Sequence, residues 1–259
     1  MANRRVGRES GAAMSRALSL AMTALLAWMG VGALRCSASP LEGIAGWEGD
    51  RFEQGYGFAM LGTLVAGDSA VSFPVRITGS YLYYNYGEAG GIVKVRGPGG
   101  AGLVGIRYAP TWGTVMFLVG GEIRWETRKR ELSPGPEAVV ARGGVVGEVD
   151  GDVAWTRRLH PFWLVNYSGS ARYVYGRAGI RFQVSNLDWR GPVTWSVGLD
   201  AVGQGNADTD ALQGGGSLEC VLVRSRLSLN VRGGYKDSAS SDGGRRQGGY
   251  VGGGVYKRF

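Results

Sequence analysis

The stretch VTWSVGLDA, Val193 to Ala201, sets valine, tryptophan, valine, leucine and alanine on every second residue, with threonine, serine, glycine and aspartate between them. A β-strand turns successive side chains to opposite faces, so this segment has one oily face and one polar face. Alternation alone does not choose the solvent. In a soluble antiparallel sheet the oily face packs on a core; in an outer-membrane barrel it faces lipid and the polar face lines a lumen.

The same pattern recurs from about residue 55 to the end. In GYGFAMLGTL, Tyr56, Phe58, Met60 and Leu64 share a face, which is expected to be the lipid face. VSFPVRITGSYLY sets Val71, Phe73, Val75, Ile77, Tyr81 and Tyr83 against Ser72, Pro74, Arg76, Thr78 and Ser80. TVMFLVGGEIRW sets Val115, Phe117, Val119, Ile123 and Trp125 against Glu122 and Arg124, and GGVVGEVDGDVAW sets Val145, Val149, Val153 and Trp155 against Glu148, Asp150 and Asp152. GIVKVRG and LVGIRY, split by GPGG, read as two short strands, and six further segments lie near 161–169, 172–184, 192–203, 212–223, 226–235 and 247–258. The expectation is an all-β, antiparallel up-and-down transmembrane barrel of about twelve strands, with ten as the alternative.

Loop lengths favour twelve. With an even strand number and periplasmic termini, ETRKRELSPGPE, QGNADTDA and KDSASSDGGRR fall on the external side, while RRLHP, NLDWRG and RSR fall on the short-turn side.

Residues 1–39 differ from the rest. Four arginines precede the apolar run Ala17 to Leu34, and small residues follow in CSASP, which is the layout of a cleaved export signal. The expected domains are therefore a signal peptide at 1–39 and a barrel at 40–259. Losing the signal removes five arginines and one glutamate, so 29 basic against 21 acidic residues becomes 24 against 20, and the net charge falls from +8 to +4. The basic balance belongs largely to the signal, and no nucleic-acid partner is expected. Two cysteines, Cys36 and Cys220, make no disulfide framework. The 47 glycines follow no three-residue period, which excludes collagen, and the aromatic content argues against disorder. The export signal, glycine at positions of lumen type and the aromatic-rich strand ends YLYYNY and ARYVY make lipid the solvent of the oily face.

From about Gly46 onward the chain resembles the BcsS family, small outer-membrane barrels associated with bacterial cellulose biosynthesis. SYLYYNYGEAG followed by GIVKV, the central HPFWLVNYSGSARYVYGRAGIRF and the closing GGYVGGGVYKRF carry the likeness. It implies an accessory role in cellulose or related exopolysaccharide production or export, with synthase components or glucan as partners beside outer-membrane lipid and lipopolysaccharide. The closing strand is also expected to carry a barrel-assembly signal in Val255 and Phe259, with Tyr256 out of phase with the terminal aromatic.

The chemistry-bearing residues divide between a sharp and a bland reading. Glu148, Asp150 and Asp152 lie on one face at i, i+2 and i+4, spaced by about 6.6 Å along an extended strand, which overlaps the carboxylate separation of inverting glycosidases. The bland reading is lumen charge balanced by Arg76, Arg124, Arg142, Arg177, Arg181 and Arg232, with Glu122 facing Arg142 across a hairpin and Asp200 also in the lumen. His160 is the single histidine and Ser168 would lie across the membrane from it, so no serine triad is expected. Metal ligands are too few for zinc, no cofactor is expected, and RKR at 128–130 reads as a solvated outer loop or a contact for lipopolysaccharide phosphate. The expected function is thus non-enzymatic; the alternatives are a membrane-embedded hydrolase of lipid or glycan and a porin-like or scaffold barrel.

Overall fold

A computed structural model describes residues 41–52, 54–67, 70–88, 91–130, 138–184, 192–240 and 244–259, so the expected signal at 1–39 lies outside the described residues. The strands are β1 (Glu42–Asp50), β2 (Gly55–Gly67), β3 (Val71–Glu88), β4 (Gly91–Tyr108), β5 (Gly113–Arg130), β6 (Ala138–Val153), β7 (Leu159–Ser168), β8 (Tyr173–Gln183), β9 (Val193–Gly205), β10 (Thr209–Leu222), β11 (Leu227–Ser240) and β12 (Arg245–Arg258). Each pairs antiparallel with its neighbours in chain order, and β1 pairs with β12 from Glu42↔Arg258 to Asp50↔Tyr250, which closes the barrel.

The expected number of strands holds, but two of the expected strands do not. The sequence pattern misses β1, whose outer positions Gly43, Ala45, Trp47 and Gly49 carry one large side chain. It also splits β4, which runs unbroken through GPGG. Pro98 lacks an N–H and would be expected to end a central strand. Here the β4–β5 ladder opens at Gly97 and Pro98 between the pairs Arg96↔Thr127 and Gly99↔Arg124, with no change of register. The Arg124 guanidinium Nη1 donates to the Gly97 carbonyl at 3.0 Å, so the opened backbone keeps a hydrogen-bond partner.

VTWSVGLDA lies in β9 with the faces expected. Trp195 and Leu199 point outward, Leu199 being 74% exposed, while Asp200 and Val202 point inward and are buried. Around the ring, Ile77, Phe117, Val145, Ile180, Val231 and Val251 share that outer face and are likewise exposed. An apolar surface continuous over a whole barrel has lipid as its natural solvent. Tyr108, Trp112, Trp155 and Trp195 cluster toward the end where β1 begins and β12 finishes, here called the terminal mouth. Tyr81, Trp125, Tyr167 and Tyr235 lie toward the far mouth. Glycine does not keep to the lumen as expected: Gly102, Gly121, Gly203 and Gly214 face outward, with open space where a Cβ would stand. A close approach does require glycine at Gly120, where a Cβ would fall 1.8 Å from the Gly102 carbonyl oxygen.

Spanning a bilayer takes about 9–11 tilted residues, whereas β3, β4 and β5 have 18 each and β6 has 16. The excess lies at the far mouth. The segments expected to be long loops there are partly strand: β5 runs to Arg130, and only residues 206–208 separate β9 from β10. RKR is accordingly the end of β5 and not a loop, with Lys129 in register with Lys94 of β4.

Candidate functional site: the lumen

Strand parity sends all eleven expected lumen residues to the inner face, and the structure pairs them through the barrel. Arg76 of β3 reaches β6, its Nη1 donating to Glu148 Oε1 at 2.5 Å with Asp150 Oδ2 at 3.6 Å. Asn166 Nδ2 donates to the other Glu148 oxygen at 3.4 Å. Arg177 Nε donates to Asp200 Oδ2 at 2.6 Å. Arg181 bridges Asp152 and Glu219, the latter at 3.1 Å, and Arg177 and Arg181 both lie 5.0 Å from the Phe162 ring centre. Arg232 Nη2 stands 2.6 Å from Glu48 Oε2, while Gln213 Nε2 donates to Glu48 Oε1 at 2.7 Å.

One expected pairing is wrong. Glu122 stands opposite Gly144, and Arg124 stands opposite Arg142, so the hairpin register is displaced by one inner position. Glu122 Oε1 instead accepts from Ser168 Oγ at 2.7 Å and the Ser170 N–H at 2.8 Å, while Arg142 Nε stands 3.6 Å from Glu126 Oε2. Sequence reasoning also passes over Glu48, Gln213, Glu219 and the pair Lys236–Asp50, whose Nζ···Oδ2 distance is 2.8 Å. Parity within β10 and β11 would have placed three of them; Glu48 and Asp50 sit in the unread β1.

The tyrosines divide differently from expectation. In YLYYNY, Tyr81 and Tyr83 face outward, whereas Tyr84 and Tyr86 stack inside with ring centres 6.1 Å apart. In ARYVY both tyrosines face the lumen: Tyr173 donates to Gln204 Oε1 at 2.6 Å, and the Tyr175 hydroxyl accepts from Arg232 at 3.4 Å. The Tyr56, Phe58, Met60 and Leu64 face of β2 also turns inward, since Tyr56 stands in register with the inward-facing Glu48. Tyrosine suits all these places because an apolar ring with a polar tip serves an interface and a wet interior equally.

Each carboxylate of the row stands beside an arginine: Glu148 and Asp150 share Arg76, and Asp152 faces Arg181, with His160 Nδ1 at 3.6 Å. His160 and Ser168 occupy opposite ends of β7. Among the described residues no group of three or more His, Cys, Asp or Glu side chains is placed to hold a metal ion. Cys220 is a free thiol on the outer face.

A closed antiparallel barrel with a lipid-type exterior and a lumen of paired charges is an outer-membrane-type barrel. The translocator domain of the autotransporter NalP from Neisseria meningitidis is similar in fold, with a TM-score of 0.51 at 14% identity over 95% of this chain and 98% of that one. The β domain of the Bordetella autotransporter BrkA aligns with a TM-score of 0.47 at 12% identity, over 85% of this chain and 98% of that one. No curated protein matches the chain. The family model for the cellulose biosynthesis protein BcsS matches residues 48–259, and the chain belongs to that family.

Proposed function

We propose that the protein is a non-enzymatic outer-membrane accessory of cellulose or related exopolysaccharide biosynthesis or export. Its carrying observation is the family membership over residues 48–259 joined to a barrel whose lumen carboxylates are engaged by arginine. A hydrolase needs one carboxyl group free to donate a proton and another free to accept one or attack, and the Glu148–Asp150–Asp152 row offers neither in isolation. Residues 1–39 act in this reading as a cleaved export signal, Val255 and Phe259 as the assembly signal, and synthase components or glucan together with membrane lipid as partners.

Fractionation of cells expressing the chain with and without residues 1–39 tests the location: a signal-dependent outer-membrane band that migrates differently after boiling is the expected result. Deletion of the gene is expected to reduce cellulose output, with restoration by the wild-type chain and by Asp150→Asn. Unchanged cellulose, or loss of rescue by Asp150→Asn in an assembled barrel, would sink the accessory or the non-enzymatic part respectively. The ties across the lumen, Arg76 to Glu148 and Gln213 to Glu48 among them, favour a scaffold over an open conduit. A scaffold predicts no conductance in planar bilayers.

A further inference from the structure

The terminal mouth holds a cavity of about 150 Å³ between the inner faces of β12, β1, β2, β3, β4 and β5. Its polar lining includes Glu42, Arg107 and Tyr256, and its apolar lining is Leu64, Pro74 and Met116. Arg76 closes it toward the interior but is held by Glu148 and Asp150. Arg107 lies on the inner face of β4, in register with Ser72 and Met116, and its guanidinium makes no side-chain hydrogen bond or ion pair among the described residues. Tyr256 stands opposite Ile44 across the β1–β12 seam, one inner position from Glu42, which sets the tyrosine ring beside a carboxylate acceptor.

Three features narrow the ligand. A cavity of this volume accepts one six-membered ring, the size at which an engineered protein cavity binds benzene. The charges around it balance, Arg76, Arg107 and Arg258 against Glu42, Glu148 and Asp150, so the site offers no net attraction to an anion. It sets charged donors and acceptors beside apolar walls and an aromatic ring, which suits a ring with hydroxyls around its edge and C–H groups on its faces.

We infer that this cavity holds a single pyranose unit of a neutral glucan, with Arg107 donating to and Glu42 accepting from its hydroxyls and Tyr256 bearing on its C–H face. The inference rests on the cellulose-related role proposed above for its choice of glucan. It places sugar recognition at the terminal mouth and requires no passage through the lumen.

The test is calorimetric titration of the full-length barrel in detergent with cellotetraose, and with trigalacturonate as an anionic probe. Cellotetraose binding is expected, weakened about tenfold in Arg107→Gln by loss of a charged hydrogen bond, with boiling-dependent migration unchanged. Leu64→Trp, which fills the cavity without touching a charge, is expected to do the same and serves if Arg107→Gln fails to assemble. No cellotetraose heat at millimolar concentration, stronger binding of trigalacturonate, or binding indifferent to the assembled variants would each overturn the assignment. Loss of cellulose on gene deletion without cellotetraose binding removes this site and keeps the accessory role. Binding that depends on Arg107, with cellulose unaffected by deletion, keeps the site and removes the role.

Discussion

On β4, β5 and β6 the inner face carries Leu103, Met116, Leu118 and Val146, buried against one another, and farther out Leu82, Tyr84, Tyr86, Val93 and Val95 form a second cluster on β3 and β4. On β8 to β12 and β1 the same inner face carries Arg177, Asp200, Gln213, Arg232, Lys236 and Glu48 in pairs. Both walls are apolar outside; inside, the first, here the apolar wall, sets these two buried clusters between charged groups such as Arg76 with Glu148 and Asp150, while the second, the ionic wall, is held mainly by ion pairs. The contrast shows that a barrel's inner surface can gain cohesion in two ways. Burial is non-directional and degrades gradually as atoms are removed; an ion pair screened from water depends on both partners and fails when either is lost.

Breaking the ionic wall should have the largest effect. Glu48→Ala leaves the Arg232 guanidinium and Gln213 without their shared carboxylate, in a site where Glu48 is only 9% exposed. A loss of about 3–5 kcal/mol is expected, read as a lowered urea midpoint for the fast-migrating form seen before boiling. Leu118→Ala on the apolar wall should cost about 3 kcal/mol, and a cost equal to that of Glu48→Ala would erase the distinction between the walls. Exchanging Glu122 and Arg142 tests the register between them. The exchange puts a cation against Ser168 and the Ser170 N–H and should cost about 2 kcal/mol; a neutral exchange would restore the facing pair that alternation suggested.

The smallest effect concerns the far rim beyond Tyr235, where Arg245 donates to Asp237 and its hydrogen bond holds that carboxyl below the usual aspartate range. A depressed folded value stabilises the fold above the unfolded aspartate value of about 3.9 and loses that contribution as pH falls through the folded value. Asp237→Asn should therefore be slightly less stable than the parent at neutral pH, and the difference should vanish in strong acid. A difference independent of pH would assign the effect to packing.

The alternation at Val193–Ala201 and Val115–Trp125 is readable because parity is a local property: each residue's face follows from its neighbours in the chain. The eleven charged lumen positions are readable for the same reason. Their partners are not, because a partner depends on register, and a hairpin displaced by one inner position keeps every face while changing every pair. Hence Arg142 meets Glu126, and Glu122 meets two serines. β1 escapes notice because EGIAGWEGD shows Trp47 as its one large outer residue, and β4 is divided because Pro98 normally ends a central strand, an effect cancelled here by Arg124 from the next strand. The inner tyrosines are misplaced by pattern alone because their chemistry permits either side.

The seam between β1 and β12 carries one further consequence, for the order of events in folding. Every other neighbouring pair is joined by a short connection and can form as a hairpin, but Glu42↔Arg258 unites the two ends of the described chain. That contact has the greatest loop-closure cost and the least local help. Until it forms, β1 and β12 each expose a row of unpaired N–H and C=O groups. The glycines that face β1 across the seam, Gly252, Gly253 and Gly254, leave little side-chain area to draw the edges together. Ring closure is therefore the step at which assembly of this chain should be slowest and most in need of an outside hand.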